Sequence, residues 1–219
     1  MIRPTSERVI IPPEELEGEL LMPATPRALV IFAHGSGSSR FSPRNRHVAL
    51  KLAEAGFAAL LFDLLSETEA LDRTKTFDIP LLSKRLTQAI DWTANREGLA
   101  RMTVGLFGAS TGAAAALIGA AERPSRVCAV VSRGGRPDLA EPRIEDVKAP
   151  VLLIVGGEDH AVIGLNRQAA RRLATEAEIS IVPGAGHLFE EPGALDSVTD
   201  LAIRWFNSHL PPPKAGSAH

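Results

Sequence analysis

Short runs of consecutive apolar residues alternate along this chain with stretches in which apolar residues return every three or four positions. The runs are ALVIFAHG (28–35), AALLFDLL (58–65), MTVGLFGAS (102–110), VCAVVS (127–132), VLLIVGG (151–157) and ISIVPG (179–184). Each is too short for a helix that must bury a stripe, and each is bounded by glycine, proline or polar residues, so each reads as a strand. Two earlier segments, 6–11 and 17–22, flank the turn signal PPEELEG and read as opening strands. Between the runs the period changes. Val48, Leu52 and Ala55 share one helical face, as do Leu82, Leu86, Ile90 and Ala94, and so do Leu195, Val198, Leu201, Ala202, Trp205 and Phe206. Strands apolar on both faces, alternating with amphipathic helices, predict a mainly parallel sheet of about eight strands covered on both sides, a three-layer α/β/α sandwich. In such sheets chemistry collects at the carboxyl ends of the strands.

Composition narrows the setting. At 219 residues and 45% apolar content, one domain over 1–210 is expected, followed by a Pro-rich, polar tail, 211–219, expected to be disordered. Lys and Arg number 24 against 26 Asp and Glu, so no net basic field favours nucleic acid or a membrane surface as partner. No apolar run approaches the roughly 20 residues of a membrane span, and the N-terminus lacks a leader pattern, which points to a soluble, cytoplasmic protein. The only cysteine, Cys128, lies in an apolar run and reads as a small buried hydrophobe.

Three strand ends carry reactive groups. Ser110 is the centre of Gly108-Ala109-Ser110-Thr111-Gly112, where a strand gives way to the alanine-rich helix TGAAAALIGAAER. The G-x-S-x-G pattern at a strand-to-helix turn suits a nucleophile elbow, whose tightness admits only very small residues two places before and after the serine. The competing reading is a serine capping the following helix. Asp159 follows VLLIVGGE, and its competing reading is again a cap, for a helix starting near Ala161. His187 sits in VPGAGHLFEEP after the last strand, where a lone loop histidine has no necessary role. Together, in the chain order Ser, Asp, His, each after its own strand, they form the constellation of a catalytic triad.

At this point the chain resembles the α/β-hydrolase fold, and within it the dienelactone-hydrolase-like family, through AHGSGSS, GASTG, GGEDH and GAGHLF over residues 17–210. One departure is that the name-giving enzymes of that family use a cysteine nucleophile, whereas this elbow carries Ser110. The resemblance implies an oxyanion site built from the backbone N–H of Ser36, after His34-Gly35, and that of Thr111, after the nucleophile. Relatives with a cap domain insert it after the strand that ends here near Ser132. The interval before Val151 leaves room for little more than a loop and a short helix, so an open site is expected, shaped partly by residues 66–80.

The expected activity is serine hydrolysis of a carboxylic ester, lactone or related acyl substrate through an acyl-enzyme. A thioesterase, a small peptidase and a non-catalytic ligand-binding protein of the same fold are the alternatives. Arg40, Arg44 and Arg133 lie at the active edge and either meet a substrate carboxylate or phosphate or are simply solvated. Asp63 is assigned to loop hydrogen bonding, and His160 to a direction away from its neighbour Asp159. No His or Cys cluster has metal-ligand spacing, and no Walker lysine or complete G-x-G-x-x-G occurs, so neither metal nor cofactor is expected. A homo-oligomer is left open.

Overall fold

The structure, a computed structural model, describes residues 4–141 and 143–212. Its strands are β1 (Thr5–Ile11), β2 (Leu16–Met22), β3 (Ala28–Ala33), β4 (Phe57–Phe62), β5 (Val104–Ala109), β6 (Val127–Arg133), β7 (Val151–Gly156) and β8 (Ala177–Val182). They form one eight-stranded sheet in the order β1-β2-β4-β3-β5-β6-β7-β8. Only β2 runs antiparallel to its neighbours; every pairing from β4 through β8 is parallel. The helices are α1 (Pro43–Glu54), the single turns α2 (Glu67–Ala70) and α3 (Arg73–Thr76), α4 (Ile79–Ala94), α5 (Thr111–Glu122), α6 (His160–Arg172) and α7 (Ala194–His209).

Alternation along the central strands sorts their side chains into two cores. Leu29 and Ile31 of β3, Leu106 of β5 and Leu153 of β7 face α4, α5 and α6. Val30, Phe32, Phe107 and Leu152 face α1 and α7. A strand that must feed two apolar layers cannot spare positions for polar residues, which is why these segments read as unbroken runs. The sequence-based segments are recovered with ends moved by a few residues. The largest change is at the end of β4, read to residue 65 but closing at Phe62; β8 begins two residues earlier than 179 and is partly exposed, because an edge strand has one neighbour and tolerates Glu178.

Two features set the shape of the carboxyl edge. Among the described residues of 134–150 the helical structure is two 3-10 turns, Pro137–Ala140 and Arg143–Asp146, with no cap over that edge. Residues 66–80, expected to shape the site, fold into α2 and α3, with Glu67, Ala70 and Thr76 lining a cavity. Residues 213–219, most of the tail expected to be disordered, lie outside the described residues. No helix among the described residues is long and apolar enough to cross a membrane.

Candidate active site

The elbow between β5 and α5 is built by the absence of side chains. A Cβ on Gly108 would stand 2.5 Å from the Cα of Ala113, and one on Gly112 would overlap the carbonyl oxygen of Ala33. With both stripped, and with Ala113 through Ala116 fully buried, α5 presses against the sheet centre. Ser110 takes the strain with φ 51° and ψ −121°, a conformation L-residues rarely adopt. Its backbone is held from both sides: the Ser110 N–H donates to the Arg133 carbonyl at 3.2 Å, and its own carbonyl accepts from Ala113 and Arg136 N–H groups at 3.1 Å. The side chain makes no capping hydrogen bond to α5, which disposes of the cap alternative.

The same holds for Asp159. It occupies the N-cap position of α6 yet makes no side-chain cap bond; its carboxylate accepts instead from His187 Nδ1 at 2.6 Å. The proton therefore belongs on Nδ1, leaving Nε2 to face Ser110 Oγ at 3.4 Å. Two loops are laced together to bring this about. The Gly157 N–H donates to Val182 at 2.8 Å and the Glu158 N–H to Ala185 at 3.0 Å, while a Cβ on Gly156 would overlap the Ala185 carbonyl oxygen. Phe189, fully buried, anchors the histidine loop in the α1/α7 core. Asp159 has 14% of its side chain exposed and His187 38%, so the carboxylate is sheltered and the imidazole meets solvent at the rim.

Three contributors escaped the sequence reading. Gly134 lies behind the histidine, where a Cβ would come 3.0 Å from the His187 carbonyl oxygen and 3.6 Å from its ring. Glu191 accepts from the Gly186 N–H at 2.9 Å and braces the same loop; an acidic residue five places after a turn glycine was the available signal. Thr111 contributes its side chain as well as its backbone: the Ser36 N–H, expected to be a free oxyanion donor, donates to Thr111 Oγ1 at 2.8 Å. Of the two expected donors, the Thr111 N–H is the one with no hydrogen bond to a described residue, as the first turn of a helix leaves it.

Two of these arginines are paired and the third is buried. Arg40 is paired with Asp63 and Glu17, and Asp63 also accepts the Arg40 N–H at 2.7 Å, the loop role expected for it. Arg44 pairs with Glu190 at 2.7 Å. Arg133 is 7% exposed, donates to Asn45 Oδ1 at 3.3 Å, lies 5.9 Å from the Phe189 ring centroid, and has no carboxylate partner among the described residues. Burial, with Arg44 adding like-charge repulsion, brings its guanidinium down to about 10. His34 is buried between the Gly35 carbonyl, 3.0 Å from Nδ1, and the Leu64 N–H, which donates to Nε2 at 3.1 Å. Burial holds its imidazole below the ordinary value, in the neutral form that both contacts require. His160 is exposed, and Cys128 is half-buried against the α1/α7 core. A cavity of about 630 Å³ opens beside Ser36, walled by Phe41, Arg44, Leu65 and Leu82; neither Ser110 nor His187 lines it. It adjoins the elbow through Gly35, where a Cβ would sit 3.0 Å from that of Ser110.

With that geometry in view, comparison with known proteins is direct. The profile of the dienelactone hydrolase family matches residues 16–204. The chain belongs to the dienelactone hydrolase family. A crystal structure of dienelactone hydrolase from Anabaena variabilis is 52% identical, with a TM-score of 0.92 over 95% of this chain and 100% of that one. The dienelactone hydrolase-like promiscuous phosphotriesterase P91, from metagenomic libraries, shares the fold at 19% identity, with a TM-score of 0.77 over 95% of this chain and 100% of its own. A Mycobacterium tuberculosis protein provisionally named a phosphoribosyl transferase is 51% identical over 209 residues, 95% of this chain and 47% of its own length. The chain thus spans about half the length of the curated relatives it matches. As a dienelactone hydrolase family member it has the α/β-hydrolase fold expected from its motifs.

Proposed function

We propose that this dienelactone hydrolase family member is a serine hydrolase acting on a carboxylic ester, a lactone or a related acyl compound. One observation carries the reading: a strained, half-buried serine whose Oγ faces an imidazole at 3.4 Å, itself held by a sheltered carboxylate at 2.6 Å. Ser110 Oγ attacks the substrate carbonyl carbon while its proton passes to His187 Nε2; Asp159 holds the imidazole in the tautomer that accepts it and stabilises the imidazolium. Collapse of the tetrahedral intermediate breaks the bond to the leaving group, which takes the proton from Nε2. Water then attacks the acyl-enzyme, giving one proton to His187, and that proton returns to Ser110 as the acid departs. The Thr111 N–H, at the positive end of α5, is placed to meet the oxyanion.

Hydrolysis is favoured over transferase chemistry for this chain because its strand-end groups are a hydroxyl, an imidazole and a carboxylate in line. Its glycine-rich segment 34–40 ends in Arg40, which is paired with Asp63 and Glu17. The test is labelling with a fluorophosphonate followed by peptide mass analysis, alongside turnover of short-chain p-nitrophenyl esters. The adduct is expected on Ser110, with many turnovers per protein, and Ser110→Ala is expected to remove the adduct and lower kcat by about 10⁴-fold or more. Wild-type turnover in Ser110→Ala would sink the proposal; tight ligand binding with no turnover in the wild type would favour a receptor.

A further inference from the structure

The oxyanion site holds an oxygen that neither a cap nor a core contact explains. Thr111 is 3% exposed, and its Oγ1 accepts the Ser36 N–H at 2.8 Å. Among the described residues its own O–H proton has no acceptor. A buried hydroxyl that accepts a hydrogen bond and donates none forgoes a bond that water would supply. It lies on the residue directly after Ser110, beside the Thr111 N–H, which is also unspent. The Ser36 N–H, by contrast, is committed: a donor already aligned on one oxygen at 2.8 Å is not free to point at a second.

We propose that the Thr111 hydroxyl, polarised by the Ser36 N–H, is the second oxyanion donor of this site. Ser36 then acts through it as a positioning residue. An N–H donating to the hydroxyl oxygen makes its O–H a stronger donor, so the backbone of the β3–α1 loop reaches the developing charge through one hydroxyl rather than directly. The negative charge on the carbonyl oxygen is met by two groups of a single residue, Thr111 N–H and Thr111 O–H. This inference rests on the serine-hydrolase reading and deepens it.

Thr111→Val keeps the shape and the backbone N–H and removes the hydroxyl; Thr111→Ser restores it. With p-nitrophenyl acetate, Thr111→Val is expected to lower kcat about 10²-fold while KM stays within about twofold, and Thr111→Ser to stay close to the wild type. Affinity for a trifluoromethyl ketone, which forms an oxyanion on Ser110, should fall in step with kcat/KM, a change that loosened packing alone would not track. Should the valine variant not fold, Thr111→Ala, suited to an alanine-rich helix, gives the same readout. A hydroxyl-less variant as active as the wild type, or more active, would overturn the inference and return the donor role to Ser36, with the hydroxyl acting only as a plug. An inert wild type that fluorophosphonate leaves unlabelled would instead overturn the hydrolase reading, and this inference with it.

Discussion

Two glycine-rich junctions meet at the active edge, and they hold their residues by opposite means. The β5–α5 elbow passes from strand to helix at a single residue, Ser110, with its neighbours Ala109 and Thr111 buried. The β3–α1 connection takes residues 34–42 to do the same and lies partly in solvent. Sterics govern the first: the glycines are there because backbone fills the space where a side chain would go. Polar contacts govern the second: His34 bridges Gly35 and Leu64, Asp63 grips Arg40, and Ser36 leans on Thr111. In the role proposed for Ser110 a nucleophile needs one fixed direction, which close packing supplies, whereas the wall proposed to face substrate needs shape and donors, which a pinned loop supplies.

One substitution made in both junctions breaks or sharpens that contrast. Gly112→Ala drives a methyl into the Ala33 carbonyl, where backbone cannot yield, and should cost about 3 kcal/mol, lowering Tm by roughly 6–12 °C in thermal unfolding. Gly37→Ala meets nothing within 4 Å and suffers only from φ +68°, so a loss of about 1–2 kcal/mol is expected. Equal losses at the two sites would refute the distinction. Relief of strain at the elbow acts in the opposite sense: Ser110→Gly should abolish the hydrolase activity proposed above and raise stability by about 1 kcal/mol, seen as a Tm increase of a few degrees.

The smallest effect is a pH dependence in the loop. Buried His34 has its folded value held below the ordinary 6.5, so in acid the unfolded chain binds a proton that the folded protein refuses. Its contribution is intact above that value and is lost as pH falls below it toward the folded value. Tm compared at pH 7.5 and 5.0 should show a smaller drop in His34→Gln than in the wild type; an identical drop would remove His34 from the account.

Much of this was legible in the residues because the relevant physics is local. The central strands announce themselves since both faces are buried, and Ser110, Asp159 and His187 stand out because each ends such a run among small residues. Edge strand β8 was misplaced by two residues because Glu178 interrupts the apolar pattern on a strand with a single neighbour. Arg40 was harder still. Nothing near it in sequence indicates that its partners are Glu17 and Asp63, which the antiparallel pairing of β2 with β4 brings to the same end of the sheet.

Taken alone, the sequence determined the order of elements, the sheet class and which polar side chains end the strands at the carboxyl edge, because periodicity and glycine placement are written residue by residue. Tertiary structure decided the directions of the hydrogen bonds. It turned Asp159 from its own helix toward His187, left Arg133 buried with no counter-ion among the described residues, and spent the Ser36 N–H on Thr111. Each of these depends on how loops distant in sequence pack against one another, and a bond only 2.6–3.4 Å long is set by that packing rather than by any local preference.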